Sequence, residues 1–226
     1  MRILSESDLS ELLIGSTTIE EDGLGLKVAR LADGTFLKLY RRKRLLSSAL
    51  WSPPSVRFAE NAGHLQKLGI PAPDIHELLR VPERQLNGVR YQPLPGDTLR
   101  NRWRSLVADD RDQEVEQFGG FLGRLHQSGV YFRSLHLGNV LRLPDGELGL
   151  IDLSDMTISG HALNAMKRQR NLKHILRYRE DTQWLSECHR EAWLRGYASR
   201  CGQSQAARLG RTIERMARTQ AGKVDR

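Results

Sequence analysis

Lys38, Glu60, Asn139 and Asp152 have side chains suited to handling a polyphosphate. Phosphoryl transfer needs positive charge on the phosphates, carboxylate or amide oxygens around Mg²⁺, and a positioned nucleophile. Lys38 sits in the middle of Phe36-Leu-Lys-Leu-Tyr40, a run with strand periodicity. Leu37 and Leu39 then share one face, and Lys38 shares the other with Phe36 and Tyr40. Two readings are open for it: an ordinary exposed strand lysine, or the ammonium that grips the α and β phosphates. Glu60 lies in a predicted helix beside Val56, Ala59 and Gly63. It is either a surface glutamate or the carboxylate that orients Lys38.

These residues need a scaffold, and the hydrophobic pattern supplies one. Residues 24–31 and 35–40 form a predicted hairpin turned at Ala32-Asp33-Gly34. After Ser52-Pro53-Pro54-Ser55 a helix is expected from 56 to 68, stopped by Gly69-Ile70-Pro71-Ala72-Pro73. Strands follow at 75–81 and 88–94, with Asn87-Gly88 as the turn pair between them. Pro95-Gly96-Asp97 marks a break, after which helices dominate. Phe118, Phe121, Leu122 and Leu125 make an amphipathic stripe. A small hairpin, 140–143 with 147–151, turns at Pro144-Asp145-Gly146. Further helices are predicted over 162–179, 183–199 and 204–218, the last with Ala206, Leu209, Ile213 and Met216 as its apolar face. The expected class is α+β, with two unequal lobes: a small β-rich one with a single helix over 1–94, and a helical one over 95–226 that includes the loop and hairpin 131–152.

The specific signal is Gly129-Val-Tyr-Phe-Arg-Ser-Leu-His-Leu-Gly-Asn139, continuing through the Pro144-Asp145-Gly146 hairpin to Ile151-Asp152. It resembles the catalytic stretch of protein-kinase-like small-molecule kinases, where His-x-Asp-(x)₄-Asn precedes a short hairpin and a metal-binding Asp. The preceding Leu125-His126-Gln-Ser-Gly129-Val130 resembles the helix end that leads into that loop. Within the superfamily the chain is most similar to lipopolysaccharide core kinases of the Kdo/heptose type and to bacterial toluene-tolerance-like proteins. That likeness extends over roughly 24–200, through the Lys38 strand, Glu60 with Leu68-Gly-Ile-Pro-Ala-Pro73, Tyr91-Gln-Pro-Leu-Pro-Gly-Asp-Thr-Leu99 and Arg170-Asn171-Leu172. The resemblance implies a two-lobed protein-kinase-like fold that binds ATP and Mg²⁺. Asn139 and Asp152 would be the metal ligands, and Tyr91 to Pro95 the hinge against which adenine packs. The acceptor would be a sugar of the lipopolysaccharide core or a related small molecule.

The chain departs from that pattern at two places. Phe132-Arg133-Ser134 replaces the usual His-Arg-Asp or His-Gly-Asp, so Ser134 stands where an aspartate would accept the acceptor's proton. A serine hydroxyl is no base near neutral pH, although it orients a nucleophile by hydrogen bonding. His136 is the nearest alternative base; it also fits as a structural or substrate-contacting residue, since the ordinary motif carries a histidine there. Asp155 either ends the strand or assists with the metal. The glycine run is thin: Gly23 and Gly25 either cover phosphates or form a plain turn. A phosphotransferase and a pseudokinase that binds nucleotide or acts as a scaffold in envelope biogenesis are both open.

Composition narrows the classes further. The hydrophobic fraction is 39% and the charged fraction 27%, as in globular proteins. The net charge of +8 and pI near 9.9 fit a basic exterior, a phosphate-bearing substrate or an anionic membrane face. Nucleic-acid binding rests on charge alone and is not expected. Cys188 and Cys201 form no CxxC and are expected as buried thiols. Trp51, Trp103, Trp184 and Trp193 are expected to pack, and the remaining histidines show no ligand spacing. Acidic residues precede any apolar run at the N-terminus, and no stretch approaches the roughly 20 apolar residues of a membrane span. The expected location is cytoplasmic, with peripheral contact at the inner membrane as an option.

Overall fold

The computed structural model describes residues 1–41 and 52–224, with side chains to residue 216. Trp51 lies outside the described residues. The chain is α+β, with a sheet-rich N-terminal region and a helical C-terminal part. Two compact units form: Met1–Pro95 with Gly149–Asp155, and Gly96–Leu148 with Met156–Arg226. The segment Gly149–Asp155, expected with the helical part, belongs to the first unit.

The first unit is built on six strands: β1 (Arg2–Ile3), β2 (Thr17–Asp22), β3 (Gly25–Arg30), β4 (Phe36–Arg41), β5 (Asp74–Val81) and β6 (Leu86–Gln92). Their order is β1-β5-β6-β4-β3-β2, and β1 runs parallel to β5. The first strand and the helix α1 (Glu6–Leu12) were not evident in the sequence pattern. A capping box starts α1: Ser5 Oγ accepts from the Asp8 amide, and Asp8 accepts from the Ser5 amide. Leu4 and Leu9 join Leu31, Leu37, Leu39, Leu79, Val81 and Leu86 in a core on one face of the sheet. The edge strand β2 is exposed throughout, and Glu20, Glu21 and Asp22 put charge on it, a guard against edge-to-edge pairing.

On the other face lies α2 (Pro54–Lys67), which buries Phe58, Ala62 and Leu65. Gly69, at φ 65°, ends it: the Ile70 amide donates to Leu65 O and the Gly69 amide to Gln66 O, the paired bonds of a Schellman stop. The Asn87-Gly88 pair is not a turn. The β5–β6 connection is a 3₁₀ turn, Pro82–Arg84, followed by Gln85 at φ 52°. Gly88 lies inside β6, beneath Leu37, Leu39 and Leu79. Its missing side chain makes room for the core.

In the second unit β7 (Asp97–Thr98) leads into α3 (Leu99–Ser105) and α4 (Ala108–Gln127). Strand β8 (Val130–Phe132), the loop 133–139, β9 (Val140–Arg142) and β10 (Leu148–Leu150) follow; along β10 the chain passes into the first unit. It returns with β11 (Met156–Ile158), then α5 (Ala165–Ile175), α6 (Arg179–Thr182), a π turn at Gln183–Cys188, α7 (Arg190–Cys201) and α8 (Gln203–Val224). Within the unit β7 pairs with β9, and β8 with β11, both antiparallel. The expected helix over 162–179 ends at Ile175, and the one over 183–199 divides into the π turn and α7.

The stripe Phe118, Phe121, Leu122 and Leu125 is buried, as are Trp103, Trp184 and Trp193. Ala206, Leu209 and Ile213 of α8 are buried too. Cys188 corrects the expectation of buried thiols, because it is exposed; Cys201 is half-buried. Glycines bring α4 and α7 together: a Cβ on Gly196 would overlap the Glu116 carbonyl, and one on Gly119 the Trp193 carbonyl. Gly196→Ala is therefore expected to lower stability by about 1–3 kcal/mol, read as a lower urea midpoint. An unchanged midpoint would show that the two helices separate at no cost.

Candidate functional site

In the first unit Lys38 meets Asp152. The Lys38 Nζ donates to Asp152 Oδ1 at 2.6 Å, joining residues 114 apart. The pairing of β4 with β6 (Lys38 opposite Val89) turns Lys38 away from the Leu37–Leu39 core. The lysine side chain is only 15% exposed and the aspartate 42%, so the cation is sheltered while the carboxylate stays open on one side. Asp152 has φ 56°, a left-handed backbone that aspartate tolerates better than most residues. Strain of this kind persists where surrounding bonds impose it.

Those bonds are visible on both sides of Asp152. The Leu150 amide donates to Pro71 O at 3.0 Å, and Gly149 lies against Pro71 and Leu94. Asn61 Nδ2 donates to Leu153 O at 2.8 Å, and Arg57 Nε to Ser154 O at 3.0 Å. Arg57 also reaches Ser52 O at 2.7 Å. The sequence pattern singled out neither Arg57 nor Asn61. Their spacing of one helical turn on a face next to the buried Phe58 stripe was the available signal.

Glu60 is corrected by the same helix. Residues 57 and 61 meet the 153–154 backbone and 58, 62 and 65 face the sheet; Glu60 lies roughly half a turn from Phe58 and Ala62, in solvent. Asp152 has the ion-pair role expected of Glu60. Tyr91 is also corrected. It is only 8% exposed, and its ring lies 5.9 Å from Phe36 and 5.1 Å from Phe58. It packs the unit and leaves no open face for a base to stack on. Burial, then the negative charge of Asp152, pushes the Tyr91 phenol up; the same two causes act on Tyr40, so both hydroxyls stay neutral. Gly23 and Gly25 occur at the exposed tip of the β2–β3 hairpin, where the Leu24 amide donates to Asp22 Oδ1 at 2.9 Å. Gly25 has φ 110°, so the turn itself accounts for it. Asp155 closes the 3₁₀ turn Leu153–Asp155.

In the second unit the loop 133–139 holds Ser134, His136 and Asn139. The Asn139 Nδ2 donates to Ser134 O at 2.9 Å, which leaves its Oδ1 as the acceptor oxygen, a ligand type suited to a hard cation. Asn171, fully buried on α5, donates to Phe132 O at 2.5 Å. Asp181, also fully buried, accepts two bonds of 2.8 Å from Arg100 and one of 3.1 Å from the Leu137 amide. Arg100 in turn stacks on Tyr178, 4.1 Å from the ring centroid. No motif pointed to Arg100, Asp181 or Tyr178, because they converge from α3 and α6.

His136 has a defined chemical form here. Its Nδ1 accepts from the Gly138 amide at 3.1 Å and faces an Arg100 nitrogen at 3.4 Å. Both neighbours can only donate, so Nδ1 is the unprotonated nitrogen and Nε2 bears the hydrogen. A neutral ring in this form donates from Nε2 and has no lone pair there for an acceptor's proton. The alternative of His136 as replacement base therefore loses support, and the substrate-contacting or structural role gains it.

Among the described residues no group of three or more His, Cys, Asp or Glu gathers as a metal site. A nucleotide-bound Mg²⁺ needs none, since one or two protein oxygens with water and phosphates complete its shell. No helix among the described residues is long and apolar enough to cross a membrane.

No family model matches the chain, and no curated protein does either.

Beneath the loop, His126 ends α4 fully buried, its Nδ1 2.9 Å from the Tyr197 hydroxyl. Burial first, and the Arg168 charge second, lower its pKa from 6.5 to about 3, with Asn171 opposing. The folded value is depressed, so the stability it contributes is complete above about pH 6.5 and drains away as pH falls toward 3. Wild type should lose about 1.4 kcal/mol per pH unit more than His126→Phe between pH 6 and 4, measured by denaturant unfolding. Parallel losses would show that His126 is protonated in the fold. For His136, ¹⁵N chemical shifts at neutral pH should report hydrogen on Nε2; hydrogen on Nδ1 would restore the base role.

Proposed function

We propose that the chain is a protein-kinase-like phosphotransferase, dependent on ATP and Mg²⁺, that acts on a sugar hydroxyl of lipopolysaccharide core or a related small molecule. The observation that carries this proposal is the Lys38–Asp152 pair: a sheltered ammonium on a strand, set against a half-open carboxylate on a constrained backbone. A nucleotide triphosphate presents both partners such a pair lacks, phosphate oxygens for Lys38 and a bound cation for Asp152. Asn139, with its Oδ1 as acceptor, is the second ligand type. Mg²⁺·ATP, when bound, supplies the phosphoryl group and the charge neutralisation.

The chain's own residues do the rest. In the first unit Lys38 holds phosphate, Asp152 offers an oxygen to a cation, and Asn61 and Arg57 keep the backbone after Asp152 in place; in the second, Asn139 offers an amide oxygen of the kind a cation takes. Ser134 positions the acceptor hydroxyl, and the His136 Nε2–H donates to an oxygen of the acceptor. With a loose transition state, charge and positioning are the larger contributions, and a base adds on the order of 10²- to 10⁴-fold.

The loop also supports a second reading. Ser134 is not a base and His136 has Nδ1 engaged, which fits a pseudokinase that binds nucleotide or acts as an envelope-biogenesis scaffold without transfer. Calorimetry with ATP, with and without Mg²⁺, followed by phosphate release against core oligosaccharide, separates the two. Asp152→Ala is expected to abolish the Mg²⁺-dependent part of binding and any turnover; undiminished turnover in that variant rejects the assignment. Ser134→Asp should raise a near-zero transfer rate if the second reading holds, whereas loss of an existing activity would place Ser134 in a different mechanism.

A further inference from the structure

One stretch of the second unit carries positive charge without any acidic residue. Met156–Arg179 contains Lys167, Arg168, Arg170, Lys173, Arg177 and Arg179 and no acidic residue, a formal +6 beside +8 for the whole chain. The helix α5 sorts these cations. Arg168 turns inward, donating to Leu163 O at 2.8 Å and the Tyr197 hydroxyl at 2.6 Å, on the side that buries Asn171, Leu172 and Ile175. Met166, Arg170 and Lys173 recur at i, i+4 and i+7, one narrow stripe of a 3.6-residue helix; Arg177 follows in the turn just past its end, and all four are exposed.

Among the described residues no ion pair involves Arg170, Lys173 or Arg177; Arg177 lies 5.8 Å from the Tyr178 ring. Three arginines elsewhere in the same unit are matched: Arg195 by Asp112 and Glu116, Arg104 by Glu180, Arg190 by Glu214. A row of cations without carboxylates is repelled by itself and gains from an outside anion. At its N-terminal end Met166 is 62% exposed, an apolar group in the same row.

We propose that this stripe docks on a bilayer surface of anionic phospholipid, with Met166 entering the headgroup layer and Arg170, Lys173 and Arg177 over the phosphates. An exposed apolar side chain beside basic ones suits an interface better than a polyanion in water. A nucleic acid is the poorer partner. The apolar group in the row is the aliphatic Met166, and the neighbouring Tyr178 already carries the Arg100 guanidinium over its ring at 4.1 Å, which leaves little for a base to stack on. The proposal requires no nucleotide and stands or falls separately from phosphotransfer.

The test is sedimentation of the full chain with vesicles of phosphatidylcholine alone and of phosphatidylcholine with phosphatidylglycerol. Binding is expected only with the anionic lipid, weakening as salt rises. The triple variant Arg170→Gln, Lys173→Gln, Arg177→Gln should bind on the order of 100-fold more weakly, with unchanged thermal unfolding. Met166→Ser should also weaken binding. The triple variant Arg104→Gln, Arg190→Gln, Arg195→Gln, which removes the same charge elsewhere, should bind within about threefold of wild type, since those cations already face carboxylates. Equal weakening by both triple variants, equal binding to the two vesicles, or capture of a single-stranded oligonucleotide with no vesicle binding would overturn the proposal.

Discussion

A lysine on the sheltered face of a sheet has to find a negative charge, because an ammonium removed from water without a partner is costly. In the first unit the sequence pattern offers Glu60, and helical phase turns it into solvent. Asp152 arrives instead, 114 residues after Lys38, on a segment that returns to the first unit for only seven residues, Gly149–Asp155. The return is held by Pro71 O, by the close approach of Gly149 to Pro71 and Leu94, and by Asn61 and Arg57 of α2. The left-handed backbone at Asp152 follows from being fixed on both sides. The proposed nucleotide chemistry uses what that constraint leaves over, a carboxylate with one side open.

The second unit solves a different problem, that of holding a seven-residue loop which has few backbone partners. Buried polar side chains replace the missing ladder: Asn171 on Phe132 O, Asp181 on the Leu137 amide, Asn139 on Ser134 O. Each adds a side-chain bond to a backbone group of the loop or its flank, where regular ladder bonds are few. Arg100 neutralises Asp181, so the pair has its charge balanced where neither member could be removed without stranding the other. The His136 tautomer is a by-product of this arrangement. Its Nδ1 is occupied by donors because it helps to close the loop, and its chemistry is restricted accordingly.

Much of the local structure was legible in the sequence. The hairpin around Lys38, the helix that starts at Pro54, the apolar stripe of α4, the hairpin at Pro144-Asp145-Gly146 and the α+β order all follow from periodicity and turn chemistry, which are properties of neighbouring residues. Asn87-Gly88 misled because the residues that need its small size, Leu37, Leu39 and Leu79, come from other strands. The short β1 and the fully exposed β2 had no apolar alternation to reveal them. Glu60 misled for a related reason: distance along the chain from Lys38 says nothing about helical phase against a sheet.

By itself, then, the sequence determined which residue types were present, the period of each element, and a lysine placed opposite a leucine face. Tertiary structure alone decided which carboxylate reaches that lysine, which nitrogen of His136 bears hydrogen, that Tyr91 is enclosed, and that Met166, Arg170, Lys173 and Arg177 stand in the open without acidic partners. The physical reason is the range of the forces. Backbone preference and amphipathic period act over a few residues, whereas charge pairing, tautomer choice and burial are settled by groups that meet only after the chain has folded.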